Sequence, residues 1–130
     1  MISRAQRTSR LRQQLRQQWE ELGRVMNGLG QIQGILRGSL YLRERKCGKS
    51  GCRCQRGQLH RDLTLSVRHE GQSRRKSLKG VDVEKLRSWV NQYRQFRRGR
   101  AKMVKLFGQM LVAVDGVGKL QEVQWDRVNP

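Results

Sequence analysis

Acidic and aromatic residues are both scarce in this 130-residue chain. Ten Asp and Glu stand against 29 Lys and Arg, which gives a formal net charge of +19, and the aromatic residues are two Phe, two Tyr and three Trp. A chain with this excess of positive charge repels itself and attracts polyanions. Because only 35% of the residues are apolar, we expect an elongated helical protein that a metal, a partner or a bound polyanion helps to stabilise.

Long apolar runs are also missing. No stretch of about 18 apolar residues occurs, which argues against a membrane-spanning helix, and residues 1–7 lack the apolar run that follows the positive charges of a secretory signal. The basic residues occur in every segment rather than on one amphipathic face, which disfavours a membrane-surface helix. We therefore expect a cytoplasmic protein, associated with the nucleoid or with a ribonucleoprotein.

The shortage of carboxylates argues against an enzyme as well. A nuclease or transposase normally needs several convergent carboxylates to hold two metal ions, and the ten Asp and Glu of this chain form no such motif. We expect a non-catalytic protein, and a minimal nuclease is the least favoured function.

Arginine dominates the positive charge. The chain has 21 Arg and eight Lys, and the net charge is +7 over residues 1–46, +7 over 47–80, +4 over 81–100 and only +1 over 101–130. Arginine pairs with phosphate in a bidentate manner and stacks on bases, so this bias favours nucleic acid as the partner. The alternative is a chain that is merely highly charged.

The N-terminal segment has the spacing of a long amphipathic helix. From Leu11 to Leu36 the apolar residues recur in steps of three and four, as in a coiled coil. Four glycines between residues 23 and 34 weaken the second half. The helix either ends near Asn27 or continues, straight or kinked, to a cap at Gly38, and we favour the second alternative.

Residues 39–80 alternate in polarity and predict a small β-structure. We expect a short strand at 39–45, a clearer one at 63–67, a turn at 70–72 and a returning strand at 73–79. The returning strand would carry a basic triplet suited to a phosphate backbone. The alternative role of that triplet is a charged edge that blocks aggregation.

A second long helix is expected after this β-structure. Asp82 is a suitable N-cap, and helical spacing continues to about Arg98. Gly99 breaks the pattern, and a shorter C-terminal helix is expected to follow from about Met103. Residues 115–118 resemble a turn.

Together these patterns predict an α+β fold that is mostly α. It would comprise a long N-terminal helix, a zinc-pinned β-hairpin or small sheet, a second long helix and a shorter C-terminal helix. The expected organisation is one basic helical domain over residues 1–114, with the zinc loop and hairpin inserted at about 39–80, and a C-terminal tail over 115–130.

All three cysteines lie within eight positions of one another, in the segment KCGKSGCRC. Three cysteines in a cytosolic chain favour thiolate chemistry over a disulfide framework. With His60 they complete a Cys3His set, which is typical of a closed, structural Zn²⁺ site; the predicted ligands are Cys47, Cys52, Cys54 and His60. Asp62 or a partner group is the alternative fourth ligand, and reduced free thiols or an iron–sulfur or redox role are the alternatives to zinc.

The cysteine motif resembles a family of small bacterial and archaeal proteins. The resemblance rests on Gly38-Ser39-Leu40-Tyr41, on the pattern CGKxxCxCxxGxxH over Cys47–His60, and on the helix Leu86–Arg94, so it covers roughly Gly38 to Phe96. Genes of that family often lie beside transposases and other mobile elements, and no activity is assigned to it. Its members usually follow the histidine with a Gly-Pro-Tyr-like aromatic stretch, whereas this chain has Arg61–Leu65.

These observations favour a nucleic-acid-binding accessory protein of a mobile genetic element, with RNA and DNA both open as targets and an integral ribonucleoprotein role included. The alternative is a protein–protein adaptor that docks through the N-terminal helix on a transposase, nuclease or reverse transcriptase, or that self-associates through that helix. The predicted nucleic-acid contacts are Arg4, Arg7, Arg10, Lys49, Arg53, Arg56, Arg61, Arg74, Arg75, Lys76, Arg94, Arg97 and Arg98.

Overall fold

A computed structural model confirms the α+β fold with two long helices and a three-stranded antiparallel sheet. It describes residues 1–78, 80 and 82–128. In chain order the elements are α1 (Arg4–Gly30), β1 (Gly38–Arg45), a 3-10 turn (Arg53–Arg56), β2 (His60–His69), β3 (Gln72–Ser77), α2 (Val83–Gln121) and a second 3-10 turn (Trp125–Arg127).

The chain divides into two compact units. The helical unit comprises Met1–Gln31 and Arg97–Pro130, and the sheet unit comprises Ile32–Phe96. Within the described part of the chain, no helix has both the length and the apolar character needed to cross a bilayer.

Helix α1 has a defined beginning and an earlier end than expected. Ser3 and Gln6 form a capping box, in which the Ser3 hydroxyl accepts from the Gln6 N–H and the Gln6 side chain accepts from the Ser3 N–H. The predicted continuation to a cap at Gly38 is wrong, because α1 ends at Gly30 and Gly38 begins β1.

The residues after α1 leave the helix because other groups take up their backbone hydrogen bonds. The N–H groups of Gln33 and Gly34 donate to Oε1 of Gln92, and the Leu36 N–H donates to the carbonyl of Trp89. A Cβ on Gly34 would lie 2.7 Å from Nε1 of Trp89, so this segment lies directly against the Trp89 ring. Glycine here therefore permits a close contact with α2 rather than a bend in α1.

Helix α2 is continuous where the sequence predicted a break. Asp82 caps its beginning as expected, accepting from the Lys85 N–H at 3.2 Å, but the expected end near Arg98 and the separate C-terminal helix are wrong, because α2 runs from Val83 to Gln121. The reason is visible at Gly99, where an added Cβ would lie 2.7 Å from Cδ2 of Leu29. The missing side chain makes room for α1, and residues 115–118 likewise belong to α2.

In the helical unit, α1 and the last part of α2 pack antiparallel. Arg4 donates to the carbonyls of Leu120 and Glu122, and Glu21 pairs with Lys102 at 2.7 Å. The apolar core of this unit is small, since its buried apolar residues are Leu22, Leu106 and Ala113.

The sheet has the order β1-β2-β3, so β2 is the central strand. Opposite residues include Leu40 and Leu65 in the first pair of strands and Leu65 and Lys76 in the second. The turn predicted between β2 and β3 is confirmed as a two-residue connection in which Glu70 has φ 51° and Gly71 has φ 78°, as a type I′ turn requires. The returning strand ends at Ser77, and Lys79, which the sequence placed in it, lies outside the described residues.

Gly38 offers a direct test of this sheet. A Cβ at Gly38 would lie 2.7 Å from the carbonyl oxygen of Ser66, and that oxygen cannot retreat without disturbing the β1–β2 pairing. We expect Gly38→Ala to destabilise the protein by about 1–3 kcal/mol, as overpacking does, measured by thermal unfolding. Gly108→Ala is the control of opposite sign, since nothing lies within 4 Å of its added Cβ and alanine is the better helix former by about 1 kcal/mol. Equal melting shifts for the two variants would contradict this account.

Candidate metal centre

The cysteine loop is held at both ends by the sheet. β1 ends at Arg45 and β2 begins at His60, and these two residues stand opposite each other in the β1–β2 ladder. The loop 46–59 is therefore closed at its base by main-chain pairing. His60, which lies six positions after Cys54, is brought next to the cysteines by this closure.

Within the loop, two tight backbone features place the thiols. Cys52 precedes the 3-10 turn Arg53–Arg56, and Cys54 lies inside it. The turn ends at Gly57, which has φ 98°, and Gly51 has φ 85°; both values lie in the left-handed region that favours glycine. Glycine at positions 51 and 57 therefore permits the tight backbone of the loop.

The structure brings the four predicted ligands together. The Sγ atoms of Cys47, Cys52 and Cys54 and a ring nitrogen of His60 all lie within 4.8 Å of one another. Sγ of Cys47 is 3.4 Å from Sγ of Cys54, and Sγ of Cys52 is 3.2 Å from Nε2 of His60. With Zn–S bonds of about 2.3 Å, tetrahedral ligands lie roughly 3.8 Å apart, so these four atoms fit around one ion and could hold it.

The alternative fourth ligand, Asp62, is not one of the four grouped residues. Its carboxylate accepts from Nε of Arg45 at 2.7 Å. His69 lies at the far end of β2, with 63% of its side chain exposed, and faces Glu70 at 3.6 Å. His60 is therefore the fourth member of the cluster.

Comparison with protein-family models matches residues 6–88 to DUF6788, a domain of unknown function. The chain belongs to this family. The matched region contains the whole cysteine loop and all three strands, so the Cys3His cluster is part of the DUF6788 domain. A search of curated proteins finds no match, and a search of solved structures finds none either.

The thiols of this DUF6788 domain differ in environment. Cys54 is fully buried, and its burial raises the pKa of its thiol. The backbone N–H of Lys49 and the neighbouring cysteines lower the pKa of the Cys47 thiol. Arg45 lies close enough to Cys47 and Cys54 that their negative charge helps to raise its pKa, after the larger effect of Asp62.

Arg45 and Gln55 are the members of the site that sequence reasoning missed. Gln55 donates from Nε2 to the carbonyl of Cys47 at 3.3 Å, and Sγ of Cys54 accepts from the Cys47 N–H at 3.3 Å. These bonds tie the first cysteine to the 3-10 turn that carries the third. Only the strand register, which a single sequence does not reveal, shows that Arg45 faces this loop.

All thirteen predicted nucleic-acid contacts are exposed. Some of them already have protein partners: for example, Arg4 donates to backbone carbonyls at the end of α2, and Arg61 pairs with Glu44 at 3.1 Å. The densest run is Arg74-Arg75-Lys76 on β3, where the whole strand is exposed. Whether these residues contact nucleic acid stays a prediction.

Proposed function

We propose that this DUF6788 protein is a non-catalytic nucleic-acid-binding accessory protein of a mobile genetic element, in which the Cys3His cluster holds a structural Zn²⁺. RNA and DNA are both compatible with its surface. The observation that carries the proposal is β3, an edge strand on which every residue is exposed and three consecutive residues are basic.

The geometry of β3 suits a phosphate backbone. Successive residues of a strand point to opposite faces, so Arg74 and Lys76 point to one face of the sheet and Arg75 to the other. None of the three forms an ion pair with a described residue. Their charges are therefore available to neutralise phosphates, with the release of counterions.

The surrounding unit reinforces this charge. The sheet unit carries 16 Lys and Arg against five Asp and Glu. Three of its five carboxylates already face cationic or imidazole partners, namely Glu44, Asp62 and Glu70. With these carboxylates paired, positive charge remains in excess on the surface of the sheet unit. The same carboxylates do not converge as those of a two-metal nuclease do. Both points support a binding role rather than a catalytic one.

The metal would act through the central strand. A Zn²⁺ bound by three thiolates and His60 supplies a rigid crosslink between the ends of β1 and β2. Because β3 pairs with β2, a crosslink that stabilises β2 would also stabilise the strand that presents the basic triplet. The zinc site would then stabilise the strand that carries the basic surface. For this role the ion would need no open coordination position.

The test uses the full-length protein after nuclease treatment. Metal analysis should return about one zinc per chain. Binding of a structured RNA and of a DNA duplex, measured over a salt series, should weaken steeply, because log K falls with log salt by about 0.9 for every phosphate neutralised on B-DNA. Weak binding to both probes with little salt dependence would refute the nucleic-acid role, and a metal content of zero would refute the zinc role.

A second candidate, a protein–protein adaptor for a transposase, nuclease or reverse transcriptase, is favoured by one observation. Trp19 on α1 is 66% exposed, although large aromatic residues are usually covered. An adaptor of this kind would bind its partner protein after nuclease treatment and without a steep salt dependence.

A further inference from the structure

The helical unit buries few apolar residues for its size. Three apolar residues, Leu22, Leu106 and Ala113, are buried in it, while large apolar side chains on both of its helices are exposed. A pair of helices forms a single layer and needs a second layer to cover its apolar side. The exposed apolar residues of the unit therefore decide where that second layer would lie.

Four of the exposed residues, together with the half-buried Met103 and Met110, lie on one side of the helix pair, whereas the exposed Val104, Leu111 and Val112 lie outside that sector. An α-helix turns by about 100° per residue. Counted from Leu22, Trp19 and Met26 are displaced by about 60° and 40° around α1. Counted from Leu106, four residues of α2 are displaced by about 40–100° in the same rotational sense; they are Met103, Phe107, Met110 and Val114.

When two antiparallel helices face each other, residues displaced in the same rotational sense from the facing positions lie on the same side of the helix pair. Two observed contacts confirm this rule. Thr8 and Gln121, both displaced in the positive sense, are hydrogen-bonded at 3.2 Å, and Glu21 and Lys102, both displaced in the negative sense, form an ion pair at 2.7 Å. The six residues Trp19, Met26, Met103, Phe107, Met110 and Val114 thus form a single apolar face.

The middle of this apolar face lacks charge, and basic residues border its Val114 end. From Trp19 to Met26 and from Met103 to Val114, every Lys, Arg, Asp or Glu lies outside the sector of about 40–100°. By the same count Arg12 and Arg16 are displaced by about 80° and 120° around α1, in the part of α1 opposite Val114. The apolar part around Trp19, Met26 and Phe107 is not a surface for a polyanion. It requires an apolar partner.

The exposed apolar area of this face is similar to the apolar area that each partner buries in a protein interface of standard size. Trp19 is 66% exposed, Met26 52%, Phe107 48% and Val114 51%. With full side-chain areas of about 150–250 Å² for the larger residues, the face offers roughly 500 Å² of apolar surface per copy. A standard interface buries about 800 Å² per partner, of which a little over half is apolar.

We propose that this face binds the same face of a second copy of the chain, so that two helix pairs form a four-helix bundle. The bundle gives each helix pair its second layer, which is the usual way in which antiparallel helices cover an apolar side. The dimer would carry two metal clusters and two β3 strands. This inference does not rest on nucleic-acid binding, since it concerns apolar side chains of the helical unit.

The salt dependence of association distinguishes this dimer from an assembly bridged by nucleic acid. Two copies with the same large positive charge repel each other, and salt screens that repulsion. The dimer should therefore become tighter as salt rises, whereas binding through phosphates becomes weaker.

The test is sedimentation equilibrium of the nuclease-treated, full-length protein at micromolar concentration. At about 0.5 M salt, where repulsion is screened to within roughly 4–5 Å, the mass should be twice the chain mass of 15.2 kDa. Val114→Glu places a charge in the face and should raise the dissociation constant at least about tenfold. Val112→Glu is the matched control, since it makes the same substitution two positions away at a residue that is 73% exposed on the opposite side of α2, and it should leave the dimer intact.

Trp19→Ala supplies an independent variant on the other helix. Because Trp19 is mostly exposed, its removal should preserve the helical circular dichroism and the metal content while weakening the dimer. A wild-type mass of one chain at high salt would overturn the proposal and leave the face to a different protein. Equal dissociation of the two valine variants, or association that weakens as salt rises, would overturn it as well.

Discussion

Cys54→Ser should abolish metal binding and unfold the loop between β1 and β2. Cys54 is the fully buried member of the cluster, and a serine hydroxyl replaces its thiolate poorly as a zinc ligand. Structural zinc sites contribute about 10–16 kcal/mol of apparent binding free energy in small domains, so we expect the sheet unit to lose at least several kcal/mol of stability. Metal content and thermal unfolding followed by circular dichroism measure the two effects.

Ser50→Ala is the control for this variant. Ser50 lies in the same loop, is exposed and is not part of the cluster, so its replacement should leave both metal content and melting temperature nearly unchanged. If Cys54→Ser still bound one metal per chain, the four residues would not be the ligands. If it lost the metal but kept its melting temperature, the site would not be structural.

Replacing the basic triplet of β3 should reduce nucleic-acid binding more than any other change of equal charge. In the triple variant Arg74→Gln, Arg75→Gln, Lys76→Gln, we expect the slope of log K against log salt to fall by about 2–3, since each phosphate contact contributes about 0.7–0.9. The affinity at moderate salt should fall by at least about tenfold. Filter binding with one RNA and one DNA duplex measures both quantities.

The matched variant removes the same charge from the C-terminal part of the chain. Lys105→Gln, Lys119→Gln, Arg127→Gln changes the net charge by the same three units within the segment that has the smallest positive excess. It should change the slope little. Equal effects of the two triple variants would show that binding depends on total charge rather than on β3.

The Cys3His cluster and the type of fold could be predicted from local sequence. Ligand spacing, glycines and the alternation of polar and apolar residues act over a few positions, and the four predicted ligands do converge. Whether the ion is zinc stays a prediction, because the cluster geometry identifies donors rather than the metal. The preference for His60 over Asp62 came from sequence proximity, and the structure groups His60 with the three cysteines.

The two errors in helix length have opposite signs. Gly99 was interpreted as a helix breaker, since glycine costs about 1 kcal/mol in a helix, whereas α1 was expected to continue through Gly34 to Gly38. In the folded chain Gly99 accommodates Leu29 and Gly34 accommodates Trp89. A close tertiary contact outweighs a local preference of this size, and a single sequence does not show which glycine has such a neighbour.

The connections of the sheet also imply an order of assembly. β2 and β3 are joined by two residues, whereas β1 reaches β2 only after the loop 46–59 has closed. Closing a longer loop costs more chain entropy, and hairpins with short turns form within microseconds. We therefore expect the β2–β3 hairpin to form before β1 joins the sheet. Because the Cys3His cluster lies in the longer connection, a bound ion would favour the closure of that loop and so the pairing of β1 with β2.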